Sequence, residues 1–176
     1  MSGKWDVRDI AAANFATYVD GESSKARFAD FFAFILLPAF LGVGVGVLRH
    51  FNHFNLLDVS KFIGGIGVFT GLLFGLLTNV FTLSLRVRRD EGLHPAHDII
   101  RDVAELFANV GWAVLVGLTL VVALVIVAAT HDPKVPVGPY WTGVLVAIFS
   151  HLVLTVLMSL KRLWFAHGHV ANLPPK

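Results

Sequence analysis

Three groups of polar side chains in this 176-residue chain have the type and spacing to do chemistry. His151, Thr155 and Ser159 recur every four residues, with Ser150 beside them, so they share one face of a helix. Thr78, Asn79 and Thr82, with Asn109 and Thr119, are the other polar groups set inside long apolar runs. In lipid, hydroxyl, amide and imidazole groups on a helix face either hydrogen-bond across a packing seam or line a watered path. On the second reading Thr78, Asn79, Thr82, Asn109, Ser150, His151 and Thr155 line a pore. The third group is cationic: Arg86, Arg88 and Arg89, then Arg101, Lys161 and Arg162, with Lys25 and Arg27 near the N-terminus. Such a rim suits lipid headgroups, or an anionic ligand such as a nucleotide or single-stranded nucleic acid, with Trp164 as a stacking surface.

Other chemistry is excluded by what is missing. Without cysteine there is no disulfide, thiolate or Cys-ligated metal. No HExxH, phosphate loop, dinucleotide fingerprint or GxSxG elbow occurs, so the chain reads as no enzyme and as needing no cofactor. His50 and His53, His94 and His97, and His167 and His169 are pairs, but only His151 lies well inside an apolar run, which argues against metal or haem. No Asp, Glu, Lys or Arg lies deep in such a run, which argues against a proton-coupled pump.

The elements that position these groups are legible from hydropathy. Four apolar stretches, 28–48, 62–85, 106–129 and 140–160, each match the ~20 residues that cross a ~30 Å hydrocarbon core as a helix. The polar alternation of a transmembrane strand is absent from runs such as 113–129, which are apolar on every side and therefore helical. With 56% hydrophobic residues and a mean hydropathy of +0.72, the expected fold is all-α, a polytopic four-helix membrane protein. Residues 1–27 form a cytoplasmic segment with an amphipathic helix over 4–20, and 161–176 a cytoplasmic tail. In that helix Val7, Ala11 and Phe15 share one face, Asp9, Asn14 and Thr17 the other, which suits a surface anchor or a movable gate.

Eleven of the 14 Lys and Arg fall before the first run, between the second and third, or after the fourth, against Arg49, Lys61 and Lys134 in the other connections. The positive-inside rule then places both termini in the cytoplasm. Pro38 with Gly42, Gly44 and Gly46 predicts a kinked first span. Gly67, Gly71 and Gly75 form a small-residue stripe that supports close helix packing, within one protomer, at a subunit interface or along a pore.

The runs 14–20 (NFATYVD), 106–110 (LFANV) and 157–164 (LMSLKRLW) resemble those of small four-helix bacterial membrane channel effectors of anti-phage operons, the Hailong effectors among them. The resemblance implies a homo-oligomeric ion channel in the lipid bilayer that depolarises the inner membrane. It also implies a partner nucleotidyltransferase whose single-stranded DNA oligomers hold the channel shut at the cytoplasmic arginines. A membrane anchor for a soluble partner and a small-solute transporter are the rival readings.

Overall fold

The structure, a computed structural model, describes residues 7–17, 32–90 and 98–171, without the side chains of 88, 90, 98, 99 and 165–171. The described residues form helices and no strand: α1 (Arg8–Ala16), α2 (Leu37–His50, entered through a π turn at Phe32–Leu36), α3 (Ser60–Asp90), α4 (Asp98–Thr130) and α5 (Pro139–Ala171). Four segments are long and apolar enough to cross a membrane, Phe32–His50, Ser60–Val87, Ile100–Thr130 and Pro139–Trp164. The chain is thus an all-helical membrane protein with four candidate transmembrane helices. With 33 residues each, α4 and α5 are roughly 50 Å long, so both project beyond a ~30 Å hydrocarbon core. The stretch expected as a tail accordingly continues α5 as far as Ala171.

The four long helices do not close into a bundle. They form a row: α3 packs on α4, α4 on α5, and α5 on α2, while α2 and α3 make no packing contact among the described residues. α4 is central, with 44% of its span buried against 11% for the α2 segment at one edge. Its inward face is apolar, with Leu106, Val110, Ala113, Leu120 and Val127 meeting Leu73 and Val80 of α3 and Leu145 and Leu152 of α5. The outer surfaces of the row carry Phe40, Val43, Leu72, Phe74, Leu118 and Leu160, all exposed, as a lipid solvent permits.

Close backbone approach is set by small residues, though not those of the 67–71–75 stripe. On α2 and α5, Gly42 and Gly46 face Gly143 and Ala147. A Cβ added at Gly42 would lie 2.5 Å from the Gly143 carbonyl oxygen and 2.7 Å from the Ala147 Cβ. Between α3 and α4, Gly117 receives the Thr70 side chain, whose Oγ1 would sit 2.5 Å from an added Cβ. At Gly67, Gly71 and Gly75 an added Cβ meets nothing within 4 Å, because this face of α3 points away from α4. Packing within the protomer is therefore not what that stripe does.

The Pro38 signal takes the form of a local widening: the π turn over Phe32–Leu36 ends just before the proline. At its other end α2 stops in a Schellman motif. Asn52 adopts φ 59°, its N–H donates to the Arg49 carbonyl at 3.0 Å, and the His53 N–H donates to the Leu48 carbonyl at 2.9 Å. Asparagine is one of the few residues that tolerate this left-handed position. Arg49 then ties the two connections of this end together, donating to the Val137 carbonyl at 2.9 Å and the Pro136 carbonyl at 3.3 Å, while the Val137 N–H donates to the Leu56 carbonyl at 2.8 Å. The proline-rich turn thus buries Val137 almost completely. Nearby, Asp58 accepts hydrogen bonds from the Ser60 hydroxyl and the Ser60 N–H before α3 begins. The Ser60 hydroxyl, more than the backbone N–H or neighbouring Lys61, holds the Asp58 carboxyl below its ordinary range.

Candidate functional site

Apart from Thr70, packed on Gly117, and Thr119, exposed on α4 and bonded to the Leu115 carbonyl, the polar residues singled out within the apolar spans fall into two separate sets. The first is an internal seam centred on His151, which α5 carries into the contact with α4 and α2. The Trp112 indole N–H donates to His151 Nε2 at 2.9 Å, and His151 Nδ1 lies 2.8 Å from the Phe34 carbonyl oxygen. Because Nε2 accepts, the network assigns the proton of neutral imidazole to Nδ1, which donates to Phe34. The Phe34 carbonyl is the right acceptor for a sequence reason: its α-helical partner four residues on would be Pro38, which has no N–H. An intramembrane histidine therefore pairs a carbonyl that the proline disturbs, as lipid cannot.

Trp112 extends the seam to α1. Its ring meets His151 edge-on at 6.1 Å and the Phe15 ring at 5.8 Å. Helix α1 lies on α4 with Asn14 buried between them, Ile10 facing Gly111 and Phe15 facing Trp112, while Val7 is exposed. The Thr17 hydroxyl contacts Asn109 Oδ1 at 3.0 Å and its own helix's Asn14 carbonyl at 2.6 Å. Asn109 is fully buried, and its Nδ2 has no hydrogen-bond partner among the described residues. Arg162 of α5 closes the seam, paired with Glu105 of α4 and donating to the Thr17 carbonyl at 2.7 Å. A cation on the last carbonyls of α1 also complements the negative end of its dipole. Thr155 and Ser159, both buried, return their hydroxyls to the His151 and Thr155 carbonyls at 2.8 and 3.0 Å. Ser150 is partly buried beside them.

The second set lies on the free edge of the row. Thr78, Asn79 and Thr82 are exposed on α3, in line with Gly71 and Gly75. The two threonines bond back to the Phe74 and Thr78 carbonyls at 3.1 and 3.0 Å. The Asn79 amide makes no hydrogen bond among the described residues, on the outer face of an apolar helix. The seven pore residues expected from the sequence are therefore not on one surface: His151, Thr155 and Asn109 sit inside the protomer, and Thr78, Asn79 and Thr82 outside it.

The cationic rim is divided in the same way. Arg86 and Arg89 are exposed on α3, Lys161 is exposed on α5, and Trp164 is 76% exposed. Arg101 of α4 lies 4.0 Å from Glu105. Arg162 is turned inward onto Glu105 and α1. Lys25 and Arg27 lie outside the described residues, as does the Arg88 side chain. Of the histidine pairs, His50 packs edge-on against Phe51 at 5.4 Å, and no three His, Asp or Glu side chains gather among the described residues.

Sequence reasoning passed over Trp112 and Phe34, the partners of His151. Two signals were present. A tryptophan in mid-span, away from the interface where such rings collect, needs an acceptor. Gly42 and Gly46, and Gly143 and Ala147, are matched four-residue repeats on two different helices. Compared with known proteins, the chain matches no family model, no curated protein and no solved structure.

Proposed function

We propose that the chain is the protomer of a homo-oligomeric ion channel in a bacterial inner membrane, with both termini cytoplasmic. On the resemblance described above, it acts as an anti-phage effector that depolarises the membrane when an anionic ligand, such as single-stranded DNA oligomers from a partner nucleotidyltransferase, leaves the arginine-rich end. The observation that carries the channel reading is the outward face of α3. Its small and polar residues, Gly67, Gly71, Gly75, Thr78, Asn79 and Thr82, face away from the protomer at the free edge of the row. A face meeting only lipid gains nothing from an unpaired amide there, whereas a second copy or a watered path satisfies it. A row of four helices encloses no conduit, so conduction requires several copies, and a row with two unlike edges closes naturally into a ring. The opposite edge offers knobs of matching spacing, Phe40, Val43 and Val47, exposed on α2.

The absence of cysteine makes the test clean. Single cysteines placed at Gly71 and Asn79 should cross-link copies in native membranes, and thiol reagents at position 79 should block current in planar bilayers. Expression without a partner should collapse the membrane potential measured by dye. Polarised, growing cells with confirmed insertion, and no cross-link at either position, would sink the channel reading. They would favour an anchor, for which the protruding end of α5 with exposed Trp164 is the docking platform. Reporter fusions at Lys176 and in the 131–138 turn check the orientation, which an external C-terminus would overturn.

A further inference from the structure

Helix α1 is joined to the row by an interface unlike the others. The long helices meet through mostly apolar faces, whereas the residue that α1 buries completely is Asn14, and the α4 residue bonded to α1 is Asn109, equally buried. Its apolar contacts are thin: Ile10 lies over Gly111 and Phe15 against Trp112, yet the two side chains stay 38% and 39% exposed. By itself α1 is not a stable helix. It has nine residues, no side chain caps its N-terminus and no basic residue lies in its last turn, while an isolated helix needs ~12–15 residues even with a favourable sequence.

The amide of Asn109 works against the docked position. Its Nδ2 has no hydrogen-bond partner among the described residues. Turning the amide over does not remove the deficit, because only Thr17 meets it: with Oδ1 toward the hydroxyl the Nδ2 is left over, and with Nδ2 toward it the Oδ1 is. That hydroxyl also has the Asn14 carbonyl at 2.6 Å, closer than Asn109 at 3.0 Å. A buried amide end without a partner favours any state that brings it water. Against this stands Arg162, which pairs with Glu105 and donates to the Thr17 carbonyl at 2.7 Å. The Arg162 and Glu105 side chains are themselves 20% and 34% exposed, so water reaches the clasp. We propose that α1 is a releasable strap: Arg162 holds it down, the unmet amide of Asn109 favours its departure, and its release opens the Trp112–His151 pair to water. The strap depends on the α1–α4 contact and its arginine clasp alone, and stands whether or not the protein conducts.

Hydrogen exchange of the full chain in micelles, followed by NMR, reads both parts: the α1 amides report the helix, and the Trp112 indole N–H, assigned with Trp112→Phe, reports the seam. Because α1 is not helical once free, its amides exchange through release. In the wild type they and the Trp112 indole should exchange together, well ahead of the α4 amides around buried Leu120. Asn109→Leu, of nearly equal volume and without the unmet amide, should slow both roughly five-fold, and Arg162→Gln should quicken both by a similar factor. Asn109→Met is the second apolar variant, and helicity with gel-filtration profile identifies any variant that misfolds. A fixed anchor predicts the opposite sign for Asn109, since losing the Thr17 contact then only loosens α1. Quickened or unchanged α1 exchange in the folded apolar variants overturns the proposal. So does a Trp112 indole that fails to follow α1 in Arg162→Gln, since release would then uncover nothing.

Discussion

Replacing Gly42 by alanine and, separately, Gly71 by alanine tests the arrangement of the row most directly, because the two glycines look alike in sequence and stand in opposite surroundings. At Gly42 the new methyl would sit 2.5 Å from the Gly143 carbonyl oxygen and 2.7 Å from the Ala147 Cβ, so α2 and α5 must move apart. Backbone cannot swing aside as a side-chain tip can, and overpacking of this kind costs ~1–3 kcal/mol. Alanine also returns up to ~1 kcal/mol of helix propensity over glycine. The net expectation is a loss of ~1–2 kcal/mol for Gly42→Ala. At Gly71 nothing lies within 4 Å, so the propensity gain stands alone and the isolated protomer should be unchanged or slightly more stable. Unfolding of monomeric protein in mixed micelles, titrated with a denaturing detergent and followed by circular dichroism, reads both. Equal effects of the two substitutions, or a greater loss at Gly71, would refute the α2–α5 crossing. A stable Gly71→Ala or Gly71→Leu protomer that no longer self-associates is the companion result expected from the proposed channel.

Trp112→Phe keeps a ring against Phe15 but removes the donor to His151 Nε2, and should cost ~1–2 kcal/mol in the same titration; no loss would mean that the imidazole finds another donor. Arg162→Gln removes the guanidinium from Glu105 and the Thr17 carbonyl, so amide exchange in α1 should quicken roughly five-fold with little change in the core of α4; uniform exchange in both helices would refute its role as a tether. For Asp58 the folded pKa lies below the unfolded one, so its contribution is full above the ordinary carboxylate range near ~4 and is lost as pH falls through the lower folded value. Ser60→Ala should raise that pKa and bring the acid loss to higher pH, measured by the Asp58 carboxyl carbon shift; an unchanged midpoint would show that the hydroxyl is not the cause.

Hydropathy by itself determined the fold class and the four spans, because a backbone in lipid must bond within its own helix and ~20 apolar residues then suffice. It also marked Pro38 and His151 as unusual, and Asn52, in the αL position, is a residue type suited to end a helix there. Only the tertiary structure decided what those residues meet. His151 looks the same in sequence whether it faces water or Trp112, since a helical spacing gives a face and not a neighbour. The Gly67–Gly71–Gly75 stripe and the Gly42–Gly46 pair obey the same rule of small residues every three or four positions, yet one lies on the free edge of the row and the other at a crossing. Which helix stands beside which, α5 next to α2 and α3 left at the edge, depends on the matching of whole surfaces over distant parts of the chain. The division of the polar residues into an internal seam and an outer face follows from that order of helices, because burial is a property of the neighbour as much as of the residue.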